Sequence, residues 1–321
     1  MKRFAVWLLL LAMVLSLAAC APTTEQTPTE PEDPAAGLNV YIPEAGAQIR
    51  SILFIGNSNC SYFNDELVSV AKAAGIDLVV ANLYVSGCSV QQHVERLEYD
   101  QAYTKYTVRE NGNVTVYNDE VSLREALEER QWDAVSLQQH YDPLNAANIT
   151  IAQHQTNKYA KKIYDFVKEK QPDALLFWHN NWAFQLGYPE EEVVEEKRID
   201  TVEKQQAIHE VMQLNAKQVC HENGAARVPT GDAWQLARAD ERIGHTLSNK
   251  DTMGNTDYIH DGEVGGGQYL NACVWFEVLT QKSCIGNTFR PTYALSEEKV
   301  LLLQQYAHQA VAAAYGADYA K

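Results

Sequence analysis

Two short stretches, far apart in the chain, carry the residue types of a hydrolytic nucleophile and its base. The first is Ile52-Leu-Phe-Ile-Gly-Asn-Ser58, an apolar run ended by Gly56 and Asn57 with a serine immediately after. Glycine and asparagine both tolerate sharp turns, so Gly-Asn-Ser can be read simply as a strand end. A serine at the carboxyl end of a buried strand is also well placed as a nucleophile, since open α/β sheets bind ligands at that edge. Helix amino termini there favour negative charge. A serine hydroxyl needs a base within hydrogen-bond reach, and the base needs a group to orient it. The second stretch, Asp257-Tyr-Ile-His260, offers both. An aspartate three residues before a histidine can fold back in a tight turn and fix the imidazole tautomer.

The chain has nine histidines. His93, His154, His209, His221 and His308 fall in helical stretches and are expected to face solvent. His260 differs, lying in a loop-like stretch between Met253-Gly-Asn-Thr and Asp261-Gly, just before a helix. D-x-x-H recurs by chance, so its weight comes from this position near the end of the strand–helix alternation.

The elements that must hold these residues are legible as an alternation. Ser51–Ile55 reads as a buried strand, and an amphipathic segment begins near Leu67. Further strands are expected over 77–84, 132–139, 174–178 and 226–232, the last limited by Pro229. Helices are expected over 122–130, 155–170, 199–223, 266–280 and 296–315, with Gly224 and Gly316 as stops. Residues 104–118 break the pattern, because alternating residues flank Asn111-Gly112, the mark of a two-residue hairpin. This hairpin reads as an insertion outside the core sheet. Strands alternating with helices predict an α/β fold, with a mostly parallel sheet covered on both faces.

The amino terminus reads as export and attachment. Lys2 and Arg3 precede an apolar run from Phe4 to Leu15, and Leu17-Ala-Ala-Cys20 follows. That is the pattern of a signal peptide, too short to span a bilayer comfortably. Leu-Ala-Ala-Cys resembles a bacterial lipobox, which implies cleavage before Cys20 and lipid on its thiol. Residues 21–47 are rich in Thr, Pro, Glu and Ala and read as a disordered tether. The remaining 48–321 suit one domain. The net charge of −16 argues against nucleic-acid binding. Apart from Cys20, the cysteines are Cys60, Cys88, Cys220, Cys273 and Cys284, an odd set without zinc-ligand spacing. Buried free thiols are the expectation for most, although Cys60 and Cys88 each follow a proposed active-site strand and could approach one another. Neither a metal nor another cofactor is expected.

Taken with Val85-Ser-Gly87-Cys-Ser and Asp257-x-x-His260, the stretch Phe54-Ile-Gly-Asn-Ser58 resembles block one of the SGNH (GDSL-type) hydrolases, in a branch with Gly-Asn-Ser for Gly-Asp-Ser. The resemblance spans most of residues 51–284, including Tyr269–Thr280. It implies a three-layer α/β/α sandwich with a flavodoxin-like, five-stranded sheet. It also implies Ser58 as nucleophile, His260 as base and Asp257 as its orienter, with the amides of Ser58 and Gly87 in an oxyanion hole. The family's block-three asparagine is absent. Val135-Ser-Leu-Gln138-Gln139-His140 stands in its place, so Gln138, with Gln139 next, is the substitute donor.

The function expected is that of an exported, lipid-anchored serine esterase on the outer side of a bacterial membrane. Trp178, His179, Asn180 and Trp182 leave the fourth strand at the same edge, and with Asn57 they suggest a substrate pocket. Indole faces beside amides suit sugar rings, so an O-acetylated glycan is the expected substrate. Trp178 can equally be core, with Trp182 covering a rim. The competing readings are a glycan-binding lipoprotein on a degenerate hydrolase fold and an O-acyltransferase acting on wall polymers.

Overall fold

The computed structural model describes residues 35–140, 146–184, 186, 199–243, 266–291 and 295–321, with backbone alone over 146–155. In chain order the elements are β1 (Ser51–Gly56), α1 (Ser58–Ser61), α2 (Asn64–Ala73), β2 (Val79–Tyr84), α3 (Val90–Glu98), β3 (Lys105–Glu110), β4 (Asn113–Tyr117) and α4 (Leu123–Glu129). They continue with β5 (Ala134–Leu137), α5 (Ala146–Lys170), β6 (Leu175–His179), α6 (Val202–Asn223), β7 (Ala226–Val228), α7 (Thr230–Ala239), α8 (Gly267–Thr280) and α9 (Glu297–Tyr315).

β1 is buried from Ile52 to Gly56, as a strand must be when helices cover both faces of its sheet. It lies between β2 and β5 and is parallel to both, with Gly56 opposite Tyr84 and Ile55 opposite Leu137. β6 and β7 continue the parallel series. Alternate residues of β1 serve different cores. Ile52 and Phe54 join Val80, Leu67, Val70, Trp234 and Trp275 under α2, α7, α8 and α9. Leu53 and Ile55 join Ala81, Leu83, Val135 and Trp178 under α3, α4, α5 and α6. The result is the expected three-layer α/β/α sandwich.

The sheet has seven strands, in the order β4-β3-β2-β1-β5-β6-β7, rather than the five expected. The hairpin turns at Asn111-Gly112, both residues at positive φ, as the sequence indicates. It is not a separate insertion, because β3 pairs antiparallel with β2, Lys105 lying opposite Tyr84 and Thr107 opposite Asn82. Tyr106 and Val108 explain the difference. They point into the α3–α4 core and extend the hydrophobic layer past β2.

Local capping fixes the helix starts. Ser89 and Ser122 form reciprocal capping boxes with Gln92 and Glu125, and Gly224 ends α6 in the left-handed region at φ 61°. Three other expectations need correction. Residues after Pro229 form helix α7 rather than the end of a strand, with Ala233, Trp234 and Ala237 on its buried side. His93 and His209 are buried, at 0% and 3% exposure, since α3 and α6 carry them on faces that pack inward. The folded unit also begins earlier than residue 48, at Gly37. Tyr41 forms a parallel bridge with Ala226, and Gly46 N–H donates to Gln281 Oε1 at 2.7 Å. The expected signal peptide, Cys20 and most of the tether lie outside the described residues. Cys60, Cys88, Cys220, Cys273 and Cys284 are buried free thiols.

Candidate active site

Ser58 is the first residue of α1, one position beyond the N-cap Asn57 and two beyond the end of β1. It is partly exposed, whereas Asn57 before it and Asn59 and Cys60 after it are buried. Among the described residues its hydroxyl makes no hydrogen bond. The side chains of its neighbours, rather than its own, hold the turn.

Asn57 is the hub of that turn. Its Oδ1 accepts from Asn59 N–H at 3.0 Å, capping α1. The same oxygen accepts from Gln138 Nε2 at 2.7 Å, which ties in the carboxyl end of β5. Its Nδ2 donates to the Cys88 carbonyl at 3.3 Å, which ties in the loop after β2. An aspartate could make the first two bonds and not the third, so an amide here has its own use in joining three strand ends. Behind the turn, a Cβ on Gly56 would lie 2.5 Å from Cys60 Sγ and 2.7 Å from Gln138 Oε1. Gly56 is thus the seat against which Gln138 is pressed, and no larger residue fits without displacing it.

Gly87 occupies the left-handed region at φ 59°, in the exposed turn that brings Cys88 N–H within 3.3 Å of the Val85 carbonyl. Val85 N–H in turn donates to the Gly56 carbonyl at 3.3 Å, so the β2 loop leaves beside the β1 loop. Ser58 and Gly87 therefore follow adjacent parallel strands at one edge, and Asn57 is bonded across to the residue after Gly87.

The two glutamines are engaged with protein. Gln138 is fully buried, with Nε2 on Asn57 and Oε1 without a partner among the described residues. Gln139 donates from Nε2 to Thr156 Oγ1 at 2.8 Å and accepts from Val90 N–H at 2.9 Å. Gln139 has both ends committed to the start of α3 and to α5. Gln138 acts through Asn57, on the geometry seen here.

The aromatic group at the end of β6 is core. Trp178 and Trp182 are 0% and 2% exposed, and Trp182 stacks on Trp234 at 4.3 Å. Their indole faces contact protein, so neither offers a sugar platform in this arrangement. Asn180 is likewise buried, and its carbonyl accepts from Thr230 Oγ1 at 2.6 Å. His179 stacks between Phe63 and Trp275. Its Nδ1 accepts from Trp275 Nε1 at 2.9 Å, so the proton sits on Nε2 and no lone pair remains for a substrate. Burial holds its pKa down to about 3. It is a neutral core imidazole, unsuited to the role of base. His93 is also held down to about 3 by burial, its Nδ1 2.9 Å from the Tyr103 hydroxyl. His140 follows β5 at the same sheet edge as Ser58 and is exposed. Asp257 and His260 lie outside the described residues.

Asn57 as a three-way staple was not legible from the sequence. Its N-cap role could have been read from Asn-Ser before a polar helix start, but its partners come from other strands. Among the described residues, no group of three His, Cys, Asp or Glu side chains could hold a metal ion.

A family model described as a domain of unknown function, DUF4886, matches residues 51–310. No curated protein matches. Among solved structures, the chain is similar to a DUF4886 family protein from Bacteroides uniformis, at 22% identity and a TM-score of 0.62, covering 85% of this chain and 97% of that one. It is also similar to an extracellular lipase from Streptomyces rimosus, at 12% identity and a TM-score of 0.41, covering 72% and 98%. A GDSL-like lipase from Bacteroides thetaiotaomicron is similar at 13% identity and a TM-score of 0.37, covering 71% and 87%.

Proposed function

The chain belongs to the DUF4886 family, and from its site we propose that it is a serine esterase of the SGNH type. The observation that carries this reading is Ser58 itself. It is a partly exposed serine whose hydroxyl is unengaged among the described residues, at the carboxyl end of a buried central strand, in a turn otherwise buried and bonded from three sides.

In the proposed reaction, Ser58 Oγ attacks an ester carbonyl while His260 takes the hydroxyl proton. Asp257 accepts from the imidazole and stabilises its cation. The oxyanion is held by the Ser58 and Gly87 amides, and the alcohol leaves with the proton returned by His260. Water then adds to the acyl-enzyme by the same route and releases the acid. Gln138 and Gln139 serve as positioning residues, because their amides are occupied by Asn57, Thr156 and Val90. The substrate proposed is an O-acylated carbohydrate, met outside the cell by a domain tethered through lipid on Cys20.

Hydrolysis of p-nitrophenyl acetate tests the reading. Ser58→Ala and His260→Ala should each remove nearly all turnover, and the double variant should lose little more, since members of such a unit are not additive. Asp257→Ala should retain more. Full activity in Ser58→Ala refutes the assignment, and loss in His140→Ala with activity kept in His260→Ala transfers the base to His140. An inactive wild-type protein leaves the glycan-binding reading in its place.

A further inference from the structure

The β3–β4 extension creates a groove that a five-stranded sheet would lack. It encloses about 300 Å³ between α1 and the uncovered face of β2, β3 and β4. Its near wall is Ser61 and Tyr62, on the same short helix that begins at Ser58. At about 1.5 Å of rise per residue, Ser61 lies within about 5 Å of Ser58 along the helix axis. Its floor includes Tyr84, the last residue of β2 and the register partner of Gly56. The groove therefore starts beside the nucleophile and runs outward along the sheet.

The strand period explains its lining. Tyr106 and Val108 point into the core, so Lys105, Thr107 and Arg109 point to the opposite face. On β4, Val116 lies opposite Thr107 and Val114 opposite Arg109. These two valines are 46% and 57% exposed, and Tyr62 is 39% exposed. Apolar and aromatic surface thus lies beside the hydroxyls of Ser61 and Tyr84 and the cationic Lys105 and Arg109, which suits the mixed CH and OH faces of a sugar.

The charge pattern narrows the sugar. The chain as a whole carries −16, yet the groove holds Lys105 and Arg109 against a single carboxylate, Asp65. Arg109 is committed to Asp65, with Nη2 3.2 Å from Oδ2. Lys105 is exposed and has no ion pair among the described residues. Beside the Arg109–Asp65 pair, the Lys105 ammonium is thus the uncompensated charge of the groove lining, and it favours an anionic group next to it. The larger hollow of about 650 Å³ lies at the other sheet edge, lined from β7, α6, α7 and α9, away from the turn that bears Ser58.

We propose that this groove binds an acidic saccharide bearing the scissile ester, with the sugar carboxylate on Lys105. The substrate assignment rests on Ser58 as the nucleophile, whereas the binding itself does not require turnover. The test is calorimetric titration of the full chain carrying Ser58→Ala with trigalacturonate and with neutral galactotriose. Trigalacturonate should bind at least about fivefold more tightly, and the preference should fade between about 0.02 and 0.3 M salt. Lys105→Met should abolish the preference and Lys105→Arg should keep it, with urea midpoints confirming that both variants fold. Equal binding of the two sugars, no binding of either, or an unchanged preference in Lys105→Met overturns the proposal. An inactive wild type that still prefers trigalacturonate refutes the esterase and leaves the groove.

Discussion

Replacing Asn57 with alanine removes three hydrogen bonds at once, and the cost can be worked bond by bond. The α1 cap to Asn59 at 3.0 Å is worth about 1 kcal/mol. Gln138 would lose the acceptor of its 2.7 Å bond while already lacking a partner at Oε1, in a fully buried position. An orphaned buried donor costs about 1–3 kcal/mol. The 3.3 Å bond to the Cys88 carbonyl is long and adds about 0.5 kcal/mol. The sum is about 2.5–4.5 kcal/mol, within the range a folded domain survives. Activity should suffer more than stability, since the Cys88 bond moors the loop bearing Gly87. Loss of one oxyanion donor lowers turnover by about 100-fold or more. Urea unfolding and p-nitrophenyl acetate kinetics read the two effects. Adding Gln138→Leu should recover at least about 1 kcal/mol, because removing both partners relieves the orphan. A cost below about 0.5 kcal/mol for Asn57→Ala, or strict additivity with Gln138→Leu, would refute the staple.

Three further outcomes follow from other parts of the molecule. Gly56→Ala should destabilise by about 1–3 kcal/mol through overpacking, and Cys60→Ala should relieve part of it by removing the 2.5 Å clash, read from thermal melts. Burial, aided by the Asp65 charge, pushes the Glu66 carboxyl up from its usual 4.5 to about 7. Stability from the protonated form is complete below pH 4.5 and lost as pH rises through 7, so Glu66→Gln should gain up to about 3 kcal/mol at pH 8 and almost nothing at pH 4.5. A constant offset in the urea midpoint across that range contradicts this. Cys20→Ser should move the protein from the detergent to the aqueous phase on partitioning, and equal partitioning sinks the lipid proposal.

Local rules made the fold readable wherever one segment contained the whole cause. β1, the hairpin turn at Asn111-Gly112 and the stop at Gly224 each follow from their own residues. What failed depended on a partner elsewhere. The alternation over 105–110 says that one face is buried, but only packing decides whether a hairpin stands alone or joins β2. Helix α7 was hidden by Pro229-Thr-Gly, which reads as a strand end, although Ala233, Trp234 and Ala237 have helical spacing. His93 and His209 were misread because a histidine does not declare in sequence which helix face it occupies. At the candidate site, the position of Ser58 after a buried strand was legible from its own segment, while the partners of Gln138 and Gln139 were not. Glutamine side chains are long enough to reach either substrate or scaffold, and here the scaffold takes them.

The order of strands also has a mechanical consequence. Residues 39–46 are stitched to the β7 side, through the Tyr41–Ala226 bridge, His221 and Gln281. The β3–β4 extension lies at the other end of the sheet, six strand spacings away by the order β4-β3-β2-β1-β5-β6-β7. At about 4.8 Å per spacing that separation is about 29 Å. A pull transmitted along the leading segment would load β7 first and reach the groove last.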